Sequence, residues 1–200
     1  KKMGADIYLF SAYKTYGPHQ GIMVINRNLG MALPGQGHGF NNHVLYKRFT
    51  PAGPDHAQVA ACAGIVDYFD TVYEHHFKAG RDATGRAESV AALIHETEQT
   101  ALRPLMAYLE GRDDLRVLGP IDAQKRLPTV SVVVDGQSGA DVARRLSDKR
   151  IMAGGGTFYA DRALEALGVD LAQGVLRLSF VHYTSPSEVD LLIQALDQTL

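Results

Sequence analysis

The sequence predicts an α/β chain in two parts, and three observations predict it. Short apolar runs rich in branched and aromatic residues are interspersed with longer stretches whose apolar residues recur at spacings of three and four. A polar segment flanked by Gly80 and Gly85 interrupts the chain, so a domain boundary or hinge is expected there. Beyond Gly111 strand and helix patterns interleave, as in a small α+β unit.

Taken in order, Ile7 to Phe10 reads as a buried strand and Ile22 to Ile25 as a second, joined by Ser11 to Gly21. From Asn26 to Asp55 there is little periodicity and much Gly, Asn and Pro, which predicts loop with short pieces of structure. Gly35, Gly37 and Gly39 open no helix and lack the dinucleotide fingerprint; a mobile loop over an active site is expected there. Val59, Ala63, Val66, Phe69, Val72, Tyr73 and Phe77 line one face of a long helix that carries Cys62 in its middle, buried. A second helix places Val90, Leu93, Ile94, Thr97, Ala101, Leu105 and Leu109 on one stripe, with a kink or break expected at Pro104.

Leu115 to Leu118 and Thr129 to Val134 then read as strands and Ala140 to Asp148 as a helix. A helix from Asp161 to Leu167 stops at Gly168. In Val175 to Phe180 the residues Leu176, Leu178 and Phe180 share one face, while Arg177 and Ser179 share the other. The final helix has a strong start signal: Ser185 as cap, Pro186 at the first position and Glu188 three residues on.

Composition narrows the function classes. The chain has 200 residues, 46% of them hydrophobic and 21% charged, which excludes a disordered segment. Folding a chain of this length buries roughly 70% of its extended surface. A net charge of −2 offers no basic excess to a nucleic acid or an anionic membrane. The longest apolar stretch, Val59 to Val66, is far short of the ~20 residues that span a bilayer. The sole cysteine, Cys62, allows no internal disulfide, and a reducing cytoplasm is the expected compartment. No metal is expected, because His75 and His76 diverge on a helix and His95-Glu96 lacks a second His. His19, His38, His43 and His56 cluster in the loop-rich region, where they read as polar loop residues or as groups able to approach a bound ligand, the former favoured.

Chemistry concentrates in Ser11-Ala12-Tyr13-Lys14-Thr15-Tyr16-Gly17-Pro18, just after the first apolar run. A lysine at the end of a buried strand can lose its proton and attack an aldehyde to form a Schiff base, while a nearby Ser hydroxyl can bind a phosphate oxygen. A surface lysine in a polar loop is the competing interpretation.

This Ser-x-x-Lys…Gly-Pro segment resembles the cofactor-lysine segment of the class V aminotransferases, a family that includes the cysteine desulfurases. Two further segments agree with it in order. Ile151 to Ala160 with Leu164 to Gly168 resembles the family's active-site loop and following helix. Arg177-Leu178-Ser179, Tyr183, Thr184 and Glu188 are similar to its C-terminal signature. The resemblance implies a fold-type I PLP-dependent transferase, represented by its C-terminal part. Residues 1–80 would end the large pyridoxal 5'-phosphate-binding domain and 81–200 would form the small C-terminal domain. It implies a Schiff base at Lys14, which then moves the Cα proton, and a cofactor phosphate bound by Ser11, with Tyr13 and Gly53 also at the cofactor. It implies a substrate α-carboxylate gripped by Arg177, an amino-acid substrate and a homodimer. The family's ring-binding Asp, stacking aromatic and phosphate loop precede the lysine segment, so the sequence is expected to begin partway through a longer enzyme.

The departures from the family pattern bear on the reaction. Tyr13 stands where desulfurases have His, and Pro54 where the family often has a phosphate-contacting Thr. Tyr159 stands where a desulfurase carries its sulfur-accepting Cys, and a phenol cannot hold a persulfide. Elimination at Cβ, including C–S cleavage, needs no such thiol. Two other readings stay open: a true desulfurase or selenocysteine lyase, and a non-catalytic dimerisation module that keeps the fold.

Overall fold

The protein divides by its packing into two units, Lys1–Val90 and Ala91–Leu200. The computed structural model describes residues 3–50, 52–78 and 80–200.

In the first unit, β1 (Ile7–Ser11) and β2 (Gly21–Ile25) form an antiparallel hairpin with Ile7 opposite Ile25 and Ser11 opposite Gly21. Contrary to expectation, β1 is not buried: Tyr8 is 47% and Leu9 67% exposed. Apolar composition shows that a strand favours a cover, and among the described residues only β2 pairs with it. The stretch after it holds α1 (Arg27–Ala32), capped by the Asn26 side chain, and the single turn α2 (Leu45–Arg48).

The segment around Gly35 is tied to α2 through Arg48. Arg48 is 9% exposed and its guanidinium donates to the carbonyls of Gly30, Met31, Leu33 and Asn42, while its own carbonyl accepts from Gln36 and Gly37. The long helix predicted next is two helices, α3 (His56–Ala61) and α4 (Ala63–His76), jointed at Cys62. Cys62 is half-buried rather than buried. Of the predicted stripe, Tyr73 is buried, but Val59 and Val66 are 47% and 62% exposed.

Helix α5 (Ala83–Glu110) runs without a break through Pro104. Within the second unit its buried face is Ala101, Leu102, Leu105, Met106 and Leu109, which keeps Ala101, Leu105 and Leu109 of the predicted stripe and widens it by Leu102 and Met106, whereas Leu93, Ile94 and Thr97 are only half-buried. The sheet of this unit is antiparallel in the order β3 (Leu115–Leu118), β4 (Thr129–Val134), β6 (Val175–Ser179) and β5 (Gly154–Gly156). Val130, Val132, Leu176 and Leu178 face a core shared with α5, α6 (Gly139–Asp148) and α8 (Pro186–Asp197). Side chains alternate along a strand, so Val175, Arg177 and Ser179 lie on the other face. There Val175 packs with Leu164 of α7 (Asp161–Ala166), Val169 and Phe158.

Strand β5 was not anticipated, because three glycines carry no alternation to read. Its composition has a packing cause: a Cβ on Gly155 would lie 2.3 Å from the Gly139 carbonyl oxygen and 2.4 Å from the Ala140 nitrogen. The start of α6 therefore sits directly on β5.

Candidate functional site

The Lys14 segment is a short 3-10 turn, Ala12–Thr15, set on the end of β1. Ala12 is fully buried and anchors it: its N–H donates to Gln20 O at 2.7 Å, and its carbonyl accepts from Gly17 N and Thr15 Oγ1, each at 2.9 Å. The turn closes through Tyr16 at φ 64° and a close approach at Gly17, where a Cβ would lie 2.5 Å from Ile65 Cδ1. Gly17 is thus required by α4 packing beneath the turn.

The fixed turn leaves its functional groups outward. Lys14 is exposed, with Nζ 5.7 Å from the Tyr13 ring centroid and no carboxylate partner among the described residues. Ser11 precedes the turn, but its hydroxyl makes no capping hydrogen bond. Tyr13 stacks on His19 with centroids 4.6 Å apart and planes at 14°. The turn brings His19, one of the loop histidines, back onto Tyr13. Gly53 lies exposed before α3, whose N-cap Asp55 accepts from Ala57 N and Gln58 N.

In the second unit, Arg177 is half-buried on the sheet face away from the main core, flanked by its strand partners Ser131 and Gly154. Its guanidinium lies 3.8 Å from the centroid of the Phe158 ring. Among the described residues it has no carboxylate or hydrogen-bond partner, whereas Arg112 and Arg144 are each paired to an aspartate. Phe158 and Tyr159 both adopt positive φ, 53° and 59°, and Tyr159 stands fully exposed at the tip of the turn. Phe158 escaped the sequence reading because its link to Arg177 depends on strand register.

The rest of the signature segment divides its work. Glu188 is a helix-capping residue, joined to Ser185 in a capping box at the start of α8. Ser179, Thr184 and Glu188 border an open cavity of about 330 Å³ that also touches Arg150 and Met152. Burial holds His182 below the ordinary imidazole range.

Comparison with known proteins is decided by one match. The sequence profile of the family described as "Aminotransferase class-V" covers residues 1–192. This chain belongs to the class V aminotransferases. Among its relatives, the aminotransferase-like protein FGM3 of Gibberella zeae is 30% identical over all of this chain. A probable cysteine desulfurase of Vibrio cholerae is 28% identical, again over the whole chain. The chain spans 47% of the length of each. The fold is that of cysteine desulfurases. The apo structure of the Thermococcus onnurineus enzyme aligns over 98% of this class V chain and 47% of its own, with a TM-score of 0.75 and 21% identity. The Escherichia coli desulfurase CsdA aligns over 99% and 47%, with a TM-score of 0.73 and 20% identity.

The class V aminotransferases and cysteine desulfurases use pyridoxal phosphate, and the residues here fit such a group. The Lys14 amine on the turn and the Ser11 hydroxyl at the end of β1 have no carboxylate or hydrogen-bond partner among the described residues. Among the described residues the Arg177 guanidinium likewise has no hydrogen-bond or carboxylate partner beside its contact with the Phe158 ring.

Proposed function

We propose that this chain is the C-terminal portion of a pyridoxal-phosphate enzyme acting on an amino acid, with a sulfur-bearing amino acid the substrate to test first. In this reading residues 1–80 close the cofactor domain, 81–200 form the small domain, and the whole works as a cytoplasmic homodimer. When bound, the cofactor supplies an electron sink that weakens bonds at the substrate Cα. Lys14 Nζ is the attachment point and moves the Cα proton. The Ser11 hydroxyl donates to the cofactor phosphate, with Tyr13 and Gly53 beside the group, and Arg177 grips the substrate α-carboxylate through its planar fork.

The observation that carries the reading is Arg177: a half-buried guanidinium lying over the Phe158 ring, without a carboxylate partner among the described residues. Even partial burial of a cation without a counter-charge carries a cost, and an anionic substrate offsets it. Tyr159 at the tip of the turn supports cleavage without a covalent persulfide on that loop. The test is amino-acid turnover by the full-length protein with pyridoxal phosphate, led by L-cysteine, with sulfide and alanine both measured. Turnover that disappears in K14A and R177Q is expected; turnover unchanged in K14A overturns the reading.

A further inference from the structure

We propose that Phe158 is a positioning residue: its ring holds the Arg177 guanidinium in the plane needed to bind a planar carboxylate, and Gly154 provides the room for it. The proposal rests on the carboxylate-binding reading of Arg177 and goes beyond it by naming what orients the fork.

Three observations converge. The guanidinium carbon lies 3.8 Å from the ring centroid, which is stacking distance. Stacking occupies a face of the guanidinium and leaves the in-plane N–H groups unspent, which are the donors a carboxylate uses in a bidentate pair. The ring is itself anchored, because Phe158 packs against the cluster of Leu164, Val169 and Val175.

Finally, Gly154 is the direct cross-strand partner of Arg177, and a Cβ there would lie 2.9 Å from Phe158 Cζ. The neighbour on the other side, Ser131, is also small. The backbone at Phe158 and Tyr159 takes a conformation uncommon for residues with a Cβ, and that turn delivers the ring over the strand. An arginine fixed this way binds a carboxylate with less ordering left to complete, so the effect falls on the carboxylate and not on the rest of the ligand.

The test uses the full-length protein loaded with pyridoxal phosphate, with L-alanine and L-alaninamide as probes. Binding is read from the cofactor absorption band, and the ratio of the two dissociation constants isolates the carboxylate. F158L and G154A are expected to cut the preference for L-alanine about tenfold, and F158Y to retain it within about twofold. A merely structural role would lower the melting temperature and leave the ratio alone. An unchanged ratio in F158L and G154A, with R177Q abolishing it, overturns the positioning role and leaves the carboxylate reading intact. A wild-type protein with no preference for L-alanine, or an R177Q that keeps it, overturns both.

Discussion

The Glu188 carboxylate accepts from both the backbone N–H and the hydroxyl of Ser185, each at 2.7 Å. The Ser185 hydroxyl oxygen in turn accepts from Glu188 N at 3.3 Å, so the two residues close the start of α8 reciprocally. S185A is expected to lower stability by about 1 kcal/mol, read as a fall of a few degrees in melting temperature.

The same contact sets a pH dependence. The Ser185 backbone N–H and then its hydroxyl hold the Glu188 carboxyl below its ordinary value of 4.5. A depressed carboxylate pKa contributes stability that is present above the unfolded value and lost as pH falls through the folded one. Denaturant titrations between about pH 3 and pH 6 should show wild-type stability declining on the acid side more steeply than that of E188Q. Parallel curves would contradict the assignment.

Arg48 is expected to be a structural arginine. Its guanidinium serves four carbonyls from Gly30 to Asn42, so R48M leaves several acceptors unpaired. A loss of about 3 kcal/mol is expected in urea unfolding, with faster amide exchange confined first to the segment between α1 and α2. R48K should recover little of it, since an ammonium cannot match the planar fork.

Gly154 and Gly155 are neighbours with different constraints. A Cβ at Gly155 meets backbone of α6, which cannot yield, whereas one at Gly154 meets only the Phe158 ring. G155A should therefore cost about 1–3 kcal/mol in thermal or chemical unfolding, and G154A distinctly less.

Much of the second unit could be read from the chain because each signal was local. Alternation in Val175 to Phe180 placed Arg177 on the correct face, and Ser185-Pro186-x-Glu188 announced α8. What escaped depended on partners distant in sequence. The Phe158–Arg177 stack follows from β5 pairing with β6, and nothing in three glycines declares a strand. Arg48 carries no signal in the sequence, since its acceptors are backbone carbonyls that leave no trace in composition. The apolarity of Ile7 to Phe10 was legible, but apolarity states a preference for cover and does not identify what provides it.

Cys62 is expected to be dispensable. It sits half-buried at the joint of α3 and α4, its thiol donating to Gln58 O at 3.3 Å, a contact a hydroxyl can reproduce. C62S should keep cofactor-dependent turnover within about twofold and stability within about 1 kcal/mol. A complete loss of turnover in a folded C62S would move sulfur chemistry to this residue.

The account turns on Lys14. The direct measurement is borohydride reduction of the full-length protein loaded with pyridoxal phosphate, followed by mass-spectrometric mapping of the modified peptide. A reduced pyridoxyl adduct on Lys14, absent from K14A, is the predicted result. An adduct on another lysine, or an unmodified Lys14 with the cofactor in excess, would contradict the account and favour a fold retained without its chemistry.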